Sequence, residues 1–390
     1  MKILEITTLL KGGSGLVTTN IAKGFKEKGH IVDVISSGKV EGLVDWLELK
    51  SDLINHDIGH YNMNFFKREH ELFWFEVERL SKLINEKRYD IIHVQAGVPA
   101  FAAHVAIGMV ELNIPIIATF HSWSPNRPEW MNVADTWAFN RCVAVCYDSK
   151  AYLNLGKMHG IKKDSYVIYP GLWLDASKYR NKKSELRLEI RKRYNLPKEA
   201  IIITQLGEVS ERKGQIDLVL AMKEVVKNNE NVFLLLVGND TDYVEYTNLL
   251  KEQILKLDLT NNIVLTGWVQ DPYEVLTAAD LFVFPSYNEG LGLAILEAIA
   301  LEIPTVFSCI EGTEDIKEIL GNNNFGTFTP GNPNEIANIV INFFNSENEN
   351  KLHKIKKATD IIFRTFNFNK TVEEYEELFL SVLNNKTRSF

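Results

Sequence analysis

Two carboxylates, Glu289 and Glu297, bracket the run Glu289-Gly290-Leu291-Gly292-Leu293-Ala294-Ile295-Leu296-Glu297. Carboxylates accept hydrogen bonds from hydroxyl groups, and two at this separation suit two hydroxyl-rich partners such as a sugar and a ribose. The glycines between them let the backbone come close to a ligand. The free N–H groups over Gly290 to Leu293, where a helix begins, can bond anionic or hydroxyl oxygens. The bland alternative leaves Glu297 on a solvated helix face. A second cluster, Gly207-Glu208-Val209-Ser210-Glu211-Arg212-Lys213-Gly214, sets Arg212 and Lys213 directly after an apolar run. A fixed cation there stabilises negative charge gathering on a leaving group. Its rival reading is a solvated charged turn.

Further candidates lie in the first half. His121 follows the apolar run Ile116 to Phe120 and opens the loop His121-Ser122-Trp123-Ser124-Pro125. A neutral imidazole there can bond a hydroxyl or steady a developing charge, although many histidines after a strand are only structural. Gly12 and Gly13 follow the first apolar run. With Gly15, Thr18 and Asp33 they approach a dinucleotide fingerprint, but Thr18 stands where that pattern asks for Gly or Ala. A plain tight turn is the other reading. His56 and His60 have helical spacing with His70 nearby, which reads as a surface helix pair, since no carboxylate motif completes a metal site.

The elements that must position these residues alternate. Ile3 to Thr7 reads as a buried parallel strand, followed by the glycine cluster Gly12 to Gly15 and a helix from Leu16 to Lys28 that Gly29 closes. Strands follow at Ile31 to Ile35, Asp90 to Val94 and Pro115 to Phe120. The pattern restarts at Ile201 to Leu206, with a helix from Gln215 to Lys227 and strands at Val232 to Val237, Ile263 to Leu265, Leu281 to Phe284 and Thr305 to Phe307. Alternation of this kind means two doubly wound α/β sheets. The candidate loops then fall at the carboxyl ends of strands, where ligands of open α/β sheets bind. Leu172 to Lys198, rich in charge and poor in strand character, separates the halves. The expected division is an N-terminal domain over 1–175 and a C-terminal domain over 176–370. The final helix, Thr371 to Leu383, fits either half.

A length of 390 residues also suits two domains, and a net charge of −8 argues against a nucleic-acid partner. Glu5 and Lys11 interrupt what would have to be the apolar core of a signal peptide. Pro99 and His104 punctuate the longest apolar stretch, Val98 to Val110, which is too short to span a bilayer. Three cysteines in no redox or metal spacing agree with a cytoplasmic setting. Asn64 to Lys87 mixes Phe65, Phe66, Phe73, Trp74 and Phe75 with Lys67, Arg68, Arg79, Lys82 and Lys87. It reads either as a face for a membrane surface or lipid acceptor, or as an ordinary helix burying its aromatics. The basic run from Lys178 to Arg193 reads as a solvated interdomain segment.

On these residues the chain resembles the retaining glycosyltransferases of family 4, which carry a Glu-x7-Glu signature and the two-domain GT-B fold. Thr266-Gly267-Trp268, Ala278-Ala279-Asp280, Pro285-Ser286, Leu296-Glu297-Ala298 and Ile303-Pro304-Thr305 recur in that family in this order. The resemblance implies two Rossmann-like domains facing a central cleft that closes about a hinge near Leu172 to Lys198. It implies that Glu289 touches hydroxyls of the donor sugar and that Glu297 holds the ribose. It further implies that the amides at Gly290, Leu291, Gly292 and Leu293 meet sugar and diphosphate, and that the loop Gly267-Trp268-Val269 cradles the base. Lys213 serves the diphosphate, Gly12 and Gly13 form a loop over it, and His121 borders the donor sugar. His121, Lys213 and Glu289 are the implied catalytic groups. The family usually has Arg where this chain has Glu208, so either Arg212 supplies the second cation or Glu208 bonds the donor differently.

The implied reaction is metal-independent and needs no cofactor. A sugar passes from a nucleotide diphosphate, with uridine the commonest base, to a carbohydrate or lipid-linked acceptor with retention of configuration. Cell-surface polysaccharide or glycolipid assembly is the implied setting. A sugar-nucleotide epimerase or hydrolase on the same scaffold, and a non-catalytic partner subunit, remain as alternatives.

Overall fold

The computed structural model of the chain describes every residue except 41–42, 66–69, 122–127, 347 and 388–390. It divides into two compact units, Met1–Gly171 with Phe368–Phe390, and Leu172–Asn367.

The first unit is built on β1 (Lys2–Ile6), β2 (Ile31–Ser36), a small antiparallel pair β3 (Lys39–Val40) and β4 (Leu43–Val44), β5 (Gly59–Asn62), β6 (Ile91–Val94), β7 (Ile116–Phe120), β8 (Ala144–Tyr147) and β9 (Ser165–Val167). Seven of these form one parallel sheet in the order β5-β2-β1-β6-β7-β8-β9. Side chains alternate between faces along each strand, so two cores form. Leu4, Ile6, Ile92, Val94, Ala118 and Phe120 enter one core. Ile3, Ile91, Ile117 and Ala144 enter the other, together with Tyr375 and Phe379. Those two aromatics come from the final helix, Phe368–Thr387, which therefore packs on the first unit.

The second unit holds β10 (Ile201–Leu206), β11 (Val232–Val237), β12 (Ile263–Gly267), β13 (Leu281–Phe284), β14 (Thr305–Ser308) and β15 (Thr327–Phe328) in the order β12-β11-β10-β13-β14-β15. Successive strands run outward from β10 in one direction and then, from β13, in the other. The order reverses between β10 and β13, and in the first unit between β1 and β6. At such a switch point neighbouring loops diverge and leave a crevice at the carboxyl ends of the strands. The loop after β10 carries Lys213 and the loop after β13 carries Glu289.

Three local expectations are corrected. The glycine cluster is not a loop ahead of the helix: Gly12 and Gly13 open the helix Gly12–Glu27 itself. Gly15 sits where a Cβ would stand 2.7 Å from the Leu10 carbonyl carbon, so the backbone crosses there. His56 and His60 do not share a helix. The helix Leu47–Asn55 ends at His56, the chain turns at Asp57 with φ of 53°, and His60 lies on β5, bonded to Ser36. The segment expected as a solvated linker folds as two helices, Ala176–Arg180 and Lys183–Arg193, on the second unit. There Arg187 pairs with Asp280 at 2.8 Å, and the Arg191 guanidinium donates to the carbonyls of Lys198 and Ala200. The aromatics of Asn64 to Lys87 divide: Phe65 is buried and Phe73 packs against the core beside the buried Val77, Leu80, Leu83 and Ile84 of the helix His70–Lys87, while Trp74 and Phe75 are exposed. Phe66, Lys67 and Arg68 lie outside the described residues.

Candidate active site

β10 ends at Leu206, and the chain turns through Gly207 and a short 3-10 turn, Glu211–Lys213, to Gly214. Gly214 has φ of 65°, and a Cβ there would stand 2.2 Å from the carbonyl oxygen of Pro285. The close crossing brings the two switch-point loops together. Tyr287 N–H donates to the Arg212 carbonyl at 2.8 Å, and Lys213 Nζ reaches Glu289 Oε1 at 2.7 Å. Lys213 Nζ also lies 5.5 Å from the centre of the Phe284 ring.

Arg212 joins the same carboxylate. Its guanidinium lies 2.8 Å from Glu289 Oε1, donates to the Asn288 carbonyl at 2.9 Å and reaches Glu208 Oε1 at 3.1 Å. Burial works against the charge of Arg212, but Glu289 and Glu208 more than offset it and raise its pKa. Burial would likewise push the Glu289 carboxyl up, yet Lys213 and Arg212 hold it below its ordinary value. Glu289 is thus an ionised carboxylate with two cations on one oxygen. Glu208, which departs from the family pattern, is the counter-ion of Arg212.

Beyond Glu289 the loop passes Gly290 and the buried Leu291, turns at Gly292 with φ of 80°, and enters the helix Leu293–Ala300. The first amides of that helix belong to the set an α-helix leaves without internal partners. Glu297, one turn along, is half-buried rather than on a solvated face, and Tyr273 Oη donates to its Oε1 at 2.9 Å. Burial raises the Glu297 pKa, with the Tyr273 bond and the charge of Lys213 pulling weakly the other way. Val269, half-buried, follows β12 and its terminal Gly267.

In the first unit Gly12 and Gly13 occupy the first helical turn after β1. His121 follows β7 directly. Its Nδ1 lies 2.7 Å from Asp148 Oδ2, and its Nε2 lies 2.7 Å from Gln95 Oε1. Burial lowers the His121 pKa, but the Asp148 carboxylate outweighs it and the net shift is upward. Ser122 to Pro125, the rest of that loop, lie outside the described residues.

Sequence reasoning missed Tyr273, Gln95, Asp148 and Gly312. Gly312, in the helix Glu311–Leu320, approaches the Glu289 carbonyl so closely that a Cβ would lie 1.9 Å from its oxygen. A glycine one residue into a helix after a strand was the signal available for it. Tyr273, Gln95 and Asp148 carried none.

Residues 11–175 match the model of Glycosyltransferase Family 4, and residues 187–360 match that of Glycosyl transferases group 1. The N-acetyl-alpha-D-glucosaminyl L-malate synthase of Bacillus anthracis is 23% identical over 95% of this chain and 94% of its own. The UDP-Gal:alpha-D-GlcNAc-diphosphoundecaprenol alpha-1,3-galactosyltransferase of Escherichia coli is 24% identical over 79% of each chain. Among solved structures, Anabaena HepE in complex with UDP-glucose superposes with a TM-score of 0.84 at 22% identity, covering 98% of this chain and all of that one. The two family models account for most of the chain between them: it belongs to glycosyltransferase family 4 and is a glycosyltransferase of the GT-B fold.

Proposed function

We propose that this glycosyltransferase moves a sugar from a UDP-sugar to a carbohydrate or lipid-linked acceptor, with retention of configuration and without a metal ion. The observation that carries the reading is the pairing of Lys213 and Arg212 with Glu289 at the switch point of the second sheet. Glu289 accepts from sugar hydroxyls, while the two cations meet charge on the diphosphate, so side chains do the work a metal would otherwise do. Glu297 accepts from the ribose, and the amides of Leu291, Gly292 and Leu293 meet the diphosphate oxygens. Uridine is favoured by the UDP-glucose complex of the Anabaena protein and by the donor in the name of the Escherichia coli relative.

The bond from the anomeric carbon to the diphosphate oxygen breaks, and its electron pair leaves on that oxygen. The sugar passes through an oxocarbenium-like state. The acceptor oxygen bonds the anomeric carbon from the same face, and its proton passes to the departing phosphate. A carboxylate neutralised by two cations is a poor nucleophile, which favours this route over a covalent Glu289 adduct.

The acceptor is carbohydrate or lipid-linked, in cell-surface polysaccharide or glycolipid assembly. The diphosphoundecaprenol in the Escherichia coli relative's name supports this, as do exposed Trp74, Phe75, Trp130 and Val133 on first-unit helices, which suit a peripheral membrane contact. Among the described residues no helix is long and apolar enough to cross a membrane.

Thermal-shift titration with UDP, GDP, ADP and dTDP and their sugar conjugates tests the donor. A ligand at one hundred times its dissociation constant stabilises the fold by about 2.7 kcal/mol. UDP compounds are expected to shift the wild type with EDTA present, and Lys213→Ala and Glu297→Ala much less. A shift from another nucleotide alone would reassign the base. Turnover of UDP-sugar with water but with no acceptor tried would overturn transfer in favour of hydrolysis.

A further inference from the structure

A row of polar side chains crosses the middle of the first sheet on one face. Glu5 on β1 and His93 on β6 are paired across the strands, and Thr119 lies on β7. Gln95, His121 and Asp148 stand just past the carboxyl ends of β6, β7 and β8. Glu5, His93 and Thr119 are fully buried, and Gln95 and Asp148 almost so. Polar groups this deep persist only if each donor meets an acceptor, so the proton on each atom can be deduced.

The accounting starts at the final helix. Tyr375 Oη lies 2.9 Å from Thr119 Oγ1, which lies 2.7 Å from His93 Nε2. His93 Nδ1 lies 2.9 Å from Glu5 Oε1, and Gln95 Nε2 donates to Glu5 Oε2 at 2.9 Å. The Glu5 carboxylate accepts on both oxygens, so His93 carries its proton on Nδ1, and Gln95 Nε2, 3.1 Å from that nitrogen, is a second donor converging on the same carboxylate. Its Nε2 then accepts from Thr119, whose oxygen accepts from Tyr375. Glu5 also orients the Gln95 amide: the NH2 group faces Glu5, and Oε1 faces His121. That oxygen can only accept, and Asp148 Oδ2 on the other side can only accept. Each ring nitrogen of His121 must therefore bear a proton.

The geometry points to His121 being held as an imidazolium between Asp148 and Gln95, with Gln95 and, behind it, Glu5 as the positioning residues that keep it so. The inference rests on the reading of His121 as a catalytic group and alters its chemistry. A ring with no lone pair cannot take the acceptor's proton, so its part is electrostatic, and the neutral imidazole expected from sequence is replaced by a cation. The titratable groups around it are Asp148 and Cys146 from the β8 side, His93 on β6, Glu5 on β1 and Tyr375 from the final helix.

Glu5 does not touch His121, so Glu5→Gln is the sharp test. The neutral amide that this substitution places beside Gln95 no longer forces the orientation of the Gln95 side chain. Once turned, Gln95 donates to His121 Nε2 and leaves the ring neutral. The measurement is the nitrogen NMR spectrum of histidine-labelled protein, with the His121 signals assigned by their loss in His121→Gln. The wild type is expected to show protons on both ring nitrogens at pH 7, and Glu5→Gln on one. Asp148→Asn, which keeps the side-chain volume, is expected to lower the pH at which His121 loses its charge. In rate profiles, kcat/KM of both variants should fall between pH 6 and 8, by up to about tenfold per pH unit once the ring loses its charge, while the wild type holds. A merely structural part would lower the rate at every pH without moving the limb.

A bare ring nitrogen on wild-type His121 at pH 7 overturns the proposal. A charged His121 that stays charged in Glu5→Gln overturns the positioning part of Glu5 and Gln95. Imidazolium signals in the wild type with undiminished turnover by His121→Gln would spare the protonation state and sink the catalytic reading of His121 instead.

Discussion

At the scale of single residues, the proposed donor-side chemistry turns on one carboxylate with two cations. Lys213 is nearly buried and pairs with Glu289, whereas Arg212 is more exposed and shares its charge with Glu208. Lys213 is therefore the cation least screened by water and the one whose field is strongest on a departing diphosphate. Lys213→Ala is expected to lower kcat by about two to three orders of magnitude, as loss of one preorganised group of this kind does. Arg212→Ala should cost less, because Glu208 already spends part of its charge. Steady-state kinetics with a saturating donor checks both. Glu297 gives a pH prediction. Burial raises its pKa, so on acidification it becomes protonated earlier than an ordinary carboxylate and loses an acceptor. Donor affinity should fall as pH drops through that raised value. Tyr273→Phe removes the bond that favours the ionised form, so the acidic limb should move to higher pH. Calorimetric donor titrations across pH check it, and an unmoved limb in Tyr273→Phe would separate the tyrosine from the carboxylate.

At the scale of elements, the site depends on close backbone crossings that only glycine permits. Gly312→Ala sets a methyl carbon 1.9 Å from the Glu289 carbonyl oxygen, a backbone atom that cannot swing aside. Overpacking of this kind costs about 1–3 kcal/mol, and the shift it forces falls on the glutamate proposed to meet the donor sugar. Gly108→Ala is the control. It lies in the helix Gly97–Met109 with nothing within 4 Å of the new carbon, and a helical Gly→Ala change gains up to about 1 kcal/mol. Calorimetry should show Gly312→Ala melting earlier and Gly108→Ala unchanged or later. The strands of the second sheet were legible because their apolar runs are long and bounded by turn residues, so the loops after β10 and β13 could be placed from sequence. What could not be read was their meeting. Lys213 and Glu289 are 76 residues apart, and only the strand order makes them neighbours. His60 misled because a spacing of four fits a helix, while the turn at Asp57 leaves no trace in such a count. The row from Glu5 to Asp148 was invisible for a related reason. Single polar residues inside apolar strands look like interruptions until the register sets them side by side.

At the scale of the whole chain, the first unit is discontinuous in sequence. The chain leaves it after Gly171 and returns at Phe368, and Gly171 passes so near that a Cβ would lie 2.3 Å from the Phe368 Cα. The entry and exit segments of the second unit pair, with Leu172 N–H bonded to the Phe366 carbonyl at 2.9 Å. The last helix then completes one of the two cores of the first unit with Val372, Tyr375, Leu378 and Phe379, all buried, and ties His30 and Lys28 to Glu376. Burial of four such side chains is worth about 6–12 kcal/mol at roughly 1.5–3 each. That is comparable with the whole stability of an ordinary domain, about 5–15 kcal/mol. The exposed ion pair of Lys28 adds little by comparison. Truncation after Asn367 is therefore expected to unfold the first unit rather than merely soften it, although every strand and all proposed site residues remain in the chain. The second unit, which closes its own core without that helix, should keep its structure. Calorimetry and limited proteolysis decide it: a surviving transition and a protected fragment spanning Leu172 to Asn367 are expected, with the first half digested. A truncated chain that keeps both transitions would mean that the final helix is only a surface addition. The Tyr375 bond to Thr119 would then contribute nothing to holding the polar row beneath His121.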